Sequence, residues 1–315
     1  MSPSVVKGSF DRTARRLRSL LAVSALALLA ACGVGDDDDD DTLADDLEQV
    51  GVDEAALTPL PAEKNDAVTR NAWATLGLGV SHKSFSSGKN VLLVYGGYSA
   101  QDVYVQRWAN ELYRKRGTAL DIGELYAVRG PNQSGYANRE IQNSRIAAHL
   151  GANGAAGRAA RASSIIVVAH SSGTYVADEL FAMMRAGSGG VPAKTIEKVS
   201  LFNLDGGGVA NPTTLRMMAG AWFVYACDAT IGRCSHNASS MKARGAQYAS
   251  LGGALLVNAN GSGCSKTLNG GLWCLHDTLI INRPHNPAMY DLRNDYTNFT
   301  GTREVVTSYL DVLSN

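Results

Sequence analysis

The 315-residue chain is poor in charge: Asp, Glu, Lys and Arg make up 18% of it, below the roughly 25% of an average soluble protein. That shortage, with 45% hydrophobic residues, excludes a disordered chain, and the composition fits neither a coiled coil nor a collagen-like repeat. No phosphate-binding loop, dinucleotide fingerprint, nucleic-acid module or internal repeat is present. No cofactor is therefore expected. What the chain does have is length and apolar content enough for a substantial core, in one large domain or two small ones. Its formal net charge of zero is unevenly spread. Residues 32–64 hold 12 acids and one Lys, whereas residues 66–315 hold 23 Lys and Arg against 16 acids. The basic excess has no interleaved aromatics, so it reads as a solvated surface and not as a nucleic-acid site.

The first 31 residues read as an address. Lys7, Arg12, Arg15, Arg16 and Arg18 precede an uncharged apolar run over residues 20–31. This is the plan of a secretory signal, and it falls short of the ~20 apolar residues that span a bilayer. The run ends Leu29-Ala30-Ala31-Cys32, which resembles a bacterial lipobox. That resemblance implies a diacylglyceryl group on Cys32 as the new N-terminus, and hence a lipid anchor on the cell envelope. The alternative is an ordinary signal peptide cut after Ala31. Arg15-Arg16 is only weakly similar to a twin-arginine signal. Residues 32–64, with six consecutive aspartates from Asp36 to Asp41, then form an acidic flexible tether. Ca²⁺ binding by that run would require the chain to bear its own ordering entropy, which favours the tether. Residues 65–315 remain as the folded domain, expected as a monomer.

Cys227, Cys234, Cys264 and Cys274 are an even set in an exported chain, which points to disulfides, the sequential pairing closing two short loops. His236 and His276 each lie two residues past a Cys, so two Cys₂His zinc clusters are the rival. The spacings between cysteines are wider than zinc sites commonly use, and no metal is expected.

From residue 71 the pattern alternates strand and helix. Short apolar runs at 90–95, 123–128, 163–169, 198–204, 222–226 and 253–257 read as buried strands. Helical spacing appears at 103–115, 139–150, 173–185, 211–220 and 303–313. The expectation is an α/β fold: a mostly parallel central sheet with helices on both faces.

The strand ending at Ala169 runs straight into Ala169-His170-Ser171-Ser172-Gly173 and a helix. This resembles the nucleophile elbow of the α/β-hydrolases, G-x-S-x-G, with Ala169 in the first small position as in small bacterial lipases. Small residues two before and two after the serine let strand and helix close on a strained turn. The resemblance implies the α/β-hydrolase fold and a serine esterase or lipase with Ser171 as nucleophile. It places oxyanion-hole donors in the loop Tyr95-Gly96-Gly97-Tyr98-Ser99 and just after the nucleophile, with Tyr98 and Ser172 backbone N–H groups as the choices. The triad order Ser, acid, His leaves two acids at strand ends, Asp205 and Asp228. Asp228 is preferred, because most of the family takes the acid from the later strand. The Cys227–Cys234 loop is also similar to the disulfide that steadies this loop in cutinases. His276 and His285 follow the last strand and compete as base, with His276 preferred; His236 precedes that strand. His170 is read as orienting the elbow or lining the site. Carboxylic esters, soluble or lipid, are the implied substrates. A hydrolase fold that has lost catalysis and serves as an envelope binding protein is the alternative.

The mature protein is expected to show no free thiol among the four cysteines of the domain and to bind no zinc, each short bridge adding roughly 2–3 kcal/mol. Thiol titration and metal analysis check this. Stoichiometric zinc, with four free thiols after chelation, would overturn it.

Overall fold

In the computed structural model of the protein, the described residues are 65–98, 100–131, 138–207, 211–238, 248, 251–266, 271–281 and 305–314. They belong to one compact unit, Leu60–Asn315. The leader with Cys32, the acidic tether and His285 lie outside the described residues.

A nine-stranded, mostly parallel sheet organises this unit. Strands β3 (Asn90–Tyr95), β4 (Ile122–Val128), β5 (Ile165–His170), β6 (Val199–Leu204), β7 (Gly220–Asp228) and β9 (Gly253–Asn258) are parallel, in the order β4-β3-β5-β6-β7-β9. All six correspond to apolar runs in the sequence. After the short helix α1 (Ala67–Arg70), a hairpin of β1 (Ala74–Gly77) and β2 (Val80–Ser84) adds antiparallel pairing beside β4, and the two-residue β8 (Arg233–Cys234) folds back on the end of β7.

Both faces are covered along the central strands, whereas β9, expected as a buried strand, is only partly buried, with Leu256 exposed. Along β3, Leu92 and Val94 join one apolar cluster while Val91, Leu93 and Tyr95 join the other. A strand buried on both sides must be apolar at every position, which is why NVLLVY is legible as parallel strand. Helix α2 (Asp102–Leu112) buries Tyr104, Val105, Trp108 and Leu112 on the first face. Helices α3 (Arg139–Gly151) and α5 (Gly173–Ala186) cover the second with Ile146, Leu150, Val176, Leu180 and Phe181. Between them lies α4 (Arg158–Arg161), whose last carbonyls accept hydrogen bonds from Lys198 Nζ. Gly187, at φ 69°, ends α5 with its N–H donating to Met183 O, a left-handed stop that glycine adopts without strain.

Three expectations shift. The hairpin of β1 and β2 was not foreseen, because its inward residues are polar. Lys83 Nζ is held by Val68 O at 2.7 Å and Asn110 Oδ1 at 2.9 Å, and His82 Nε2 meets Glu124 Oε2 at 2.5 Å. The helix expected over 211–220 shrinks to α6 (Pro212–Leu215), since β7 already begins at Gly220. The closing helix over 303–313 is a 3₁₀ segment, Ser308–Leu313, after Val305 pairs with Ile281 in an isolated bridge.

On α5, burial raises the Asp178 carboxyl to about 7, with Arg139 opposing and Glu179 reinforcing the shift. A folded-state value above the unfolded one makes stability largest below pH ~4 and lost as pH rises towards 7. Asp178→Asn should remove this decline, so the variant gains on the wild type as pH rises from 4 to 8. Urea titrations across that range check it; parallel curves for the two proteins would refute it.

Candidate active site

The C-terminal ends of β3, β5 and β6 converge on one place. At the end of β5 the backbone turns sharply. His170 completes the strand, Ser171 takes φ 51°, Ser172 returns to helical angles and Gly173 begins α5. A left-handed serine costs on the order of 1–3 kcal/mol and persists only when its surroundings hold it. Here Ser171 N–H donates to Leu204 O at 3.0 Å, while Ser171 O accepts from Thr174 N–H at 3.2 Å and Thr174 Oγ1 at 2.8 Å. Gly173 is needed for closure, because a Cβ there would stand 2.5 Å from Gly96 O.

The loop after β3 lies against this turn. A Cβ on Gly97 would meet His170 Nδ1 at 2.8 Å and Ser171 Cβ at 3.1 Å, so the backbone of Gly97 passes directly beside the serine. Gly97 O accepts from Ala100 N–H at 3.1 Å, and Gly130 N–H donates to Ala100 O at 2.9 Å, which ties the loop to the end of β4. Tyr98 follows on the same loop and Ser172 follows the serine. The two expected donors thus sit on the two segments that flank Ser171.

His276 lies on the short helix α7 (Leu272–Asp277), 1% exposed. Its Nδ1–H donates to Asp205 Oδ2 at 2.5 Å, and Asp205 is 0% exposed. Asp205 ends β6 at φ 46°. Its own N–H donates to Val224 O at 2.8 Å, and its carboxylate accepts from Asn237 N–H at 3.1 and 3.2 Å. Asn237 Nδ2 closes the set by donating to Asp205 O at 2.7 Å. The other imidazole nitrogen, His276 Nε2, is buried with no hydrogen-bond partner among the described residues. The His276 ring packs against His170, centroids 4.4 Å apart, and His170 immediately precedes Ser171. Cys264–Cys274 bridges into α7 two residues before His276.

Asp228 requires a correction. It does not reach His276. Its Oδ1 accepts from Thr230 N–H at 2.8 Å and Thr230 Oγ1 at 2.5 Å, and its Oδ2 from Ser262 Oγ at 3.5 Å. The Thr230 hydroxyl, aided by backbone N–H groups, holds this carboxyl below the usual carboxylate range. Both Asp228 oxygens are taken up by Thr230 and Ser262, and its strand is also the farther of the two from the strand that carries Ser171. β6 is the immediate neighbour of β5, whereas β7 lies one strand further, and each strand adds ~4.8 Å. Asp228 orders its own loop beside Cys227–Cys234. Asp205, the alternative acid in the sequence, is the one the fold brings to His276.

The cysteines pair sequentially, Cys227 with Cys234 and Cys264 with Cys274, which leaves no thiolate of the four for zinc. His236 stacks on Trp273 at 3.8 Å, and Trp273 meets the His276 ring edge-on at 5.5 Å. Neither Asn237 nor Trp273 was marked by the sequence. An acid at a strand end needs N–H donors, but nothing local shows that they come from a residue 32 positions on. The chain matches no protein-family model, and no curated protein is significantly similar to it.

A buried imidazole hydrogen-bonded to a carboxylate gives a far-downfield proton resonance. Asp205→Asn should abolish that resonance, whereas Asp228→Asn should keep it and lower stability by about 1 kcal/mol through the weakened turn. Proton spectra of the two folded variants check this. Loss of the signal in Asp228→Asn alone would reverse the pairing.

Proposed function

We propose that this protein is an exported serine hydrolase of the α/β-hydrolase kind that cleaves carboxylic esters through an acyl-enzyme on Ser171. The observation that carries the reading is the buried Asp205–His276 pair, whose imidazole has Nε2 unbonded among the described residues and lies tilted against His170, the residue before a left-handed serine. Such a pair does what a general base needs. The carboxylate accepts the Nδ1 proton, so the tautomer leaves a lone pair on Nε2, and the imidazolium that forms during the reaction is stabilised where it stands.

The steps follow from these parts. His276 Nε2 takes the Ser171 hydroxyl proton as Oγ attacks the ester carbonyl carbon. The oxyanion is held by the backbone N–H groups of Tyr98 and Ser172, one donor of this kind being worth about 3 kcal/mol of barrier. The alcohol leaves with the proton from His276. Water then gives a proton to Nε2 and attacks the acyl carbon, and the acid departs as Ser171 recovers its proton. Asp205 takes the place expected for Asp228.

The sheet supports the same reading, since ligands in open α/β folds bind beyond the carboxyl ends of the strands, where Ser171 and Asp205 lie. Two disulfides suit an oxidising compartment, and we extend the proposal to a lipid anchor at Cys32 holding a monomeric catalytic domain on the cell envelope through the acidic tether.

Ser171→Ala should lower kcat on short p-nitrophenyl esters by about 10³-fold or more, and His276→Ala and Asp205→Asn by at least ~10²-fold, with each variant folded. Asp228→Asn should stay nearly fully active. A fluorophosphonate should label Ser171 of the wild type. Folded protein that neither labels nor hydrolyses any ester would sink the enzyme reading and leave a binding module.

A further inference from the structure

His170 is a fully buried imidazole that the proposed steps leave unused. Its place is specific. Nε2 lies 3.3 Å from the backbone carbonyl oxygen of His276, and Nδ1 lies 2.8 Å from where a Cβ on Gly97 would stand. Its ring meets Trp108 edge-on at 6.4 Å and the tilted ring of His276 at 4.4 Å. One side chain thus touches the helix that carries the base, the glycine loop beside the serine, and the buried face of α2. Being in the strand residue next to Ser171, it is also fixed to the turn itself.

We infer that His170 is a positioning residue, donating its Nε2–H to the carbonyl of His276 and filling the space beside Gly97, so that a single ring sets the base and the glycine loop against Ser171. The assignment of the proton follows from the partners. Burial drives the ionisation of His170 well below the ordinary histidine range, and the neighbouring His276 lowers it further. A neutral ring carries one proton, and a carbonyl oxygen can only accept, so that proton belongs on Nε2. Nδ1 then faces the backbone of Gly97. His170 does not meet substrate; it acts through His276 and Gly97.

The catalytic part of this inference rests on the ester-hydrolase reading, whereas the hydrogen bond does not, and two measurements separate them. The first is nitrogen–proton correlation on ¹⁵N-histidine protein, which reads the tautomer whether or not the protein is an enzyme. A neutral His170 with its proton on Nε2 is expected; an imidazolium or an Nδ1–H tautomer would overturn the inference. The second is kinetic, with p-nitrophenyl butyrate as substrate. His170→Leu keeps the volume but loses the donor, and should lower kcat by about 10²-fold with little change in KM, the cost of a base misplaced by about an ångström. His170→Gln places an amide N–H near the lost donor and should recover most of that kcat. Folded His170→Leu with wild-type kcat would overturn the positioning role, as would His170→Gln no better than a crippled His170→Leu. If either variant fails to fold, the tautomer measurement on the wild type still decides. If the wild type hydrolyses nothing, the ester-hydrolase reading falls and the positioning role falls with it, while the tautomer still tests the hydrogen bond.

Discussion

The contact on which this end of the molecule depends is the hydrogen bond between His276 Nδ1 and Asp205 Oδ2. Removing a carboxylate from water is expensive unless donors replace the lost hydration. Asp205 has two, making three contacts: the His276 ring and the backbone N–H of Asn237, shared between both carboxylate oxygens. Those donors come from segments far apart in sequence, so satisfying a single carboxylate draws α7 and the 235–238 turn onto the end of β6. Truncating Asp205 would leave a buried imidazole and a buried N–H without partners, a larger loss than the bond's own net worth.

Strain and support are arranged in a stair across the sheet. Ser171 and Asp205 both hold left-handed angles at the ends of neighbouring strands. In each case the strained residue's N–H donates to the next strand over, Ser171 to Leu204 O and Asp205 to Val224 O. The parallel ladder therefore continues through the two residues that break strand geometry. That is how a rigid sheet carries side chains off its edge without losing backbone hydrogen bonds.

The central strands were legible because burial on both faces forces continuous apolar runs, and no other element of this length shows them. The hairpin of β1 and β2 was hidden by the same logic inverted. Ser81, His82 and Lys83 are buried, but by hydrogen bonds to Gln106, Glu124, Val68 and Asn110, and polar burial leaves no periodic trace in a sequence. The tight turn at Ser171 was legible because its small residues are a steric requirement confined to five positions. The partner of His276 was not, since choosing between Asp205 and Asp228 depends on which carboxylate the folded chain brings to the imidazole, a fact of three-dimensional order. His276 stood out through its neighbour Cys274, whereas Asn237 had no local mark at all.

Helix α7 has only six residues, far below the length at which a helix sustains itself in water. Its orientation must therefore be imposed from outside, and three constraints do so within three residues. Cys274 is bonded to Cys264, His276 is hydrogen-bonded through its side chain to Asp205, and its carbonyl oxygen faces His170. The covalent tie limits where the helix can go, the carboxylate sets the rotation of the imidazole, and the buried histidine sets its depth. Each acts on a different degree of freedom. With the covalent link cut by reduction, α7 would lose the tie that limits where it can go, and the hydrogen bonds of His276 and the stacking of Trp273 on His236 would carry more of its placement. The oxidised state of Cys264–Cys274 thus bears directly on the imidazole, which links the proposed export to the geometry of the site.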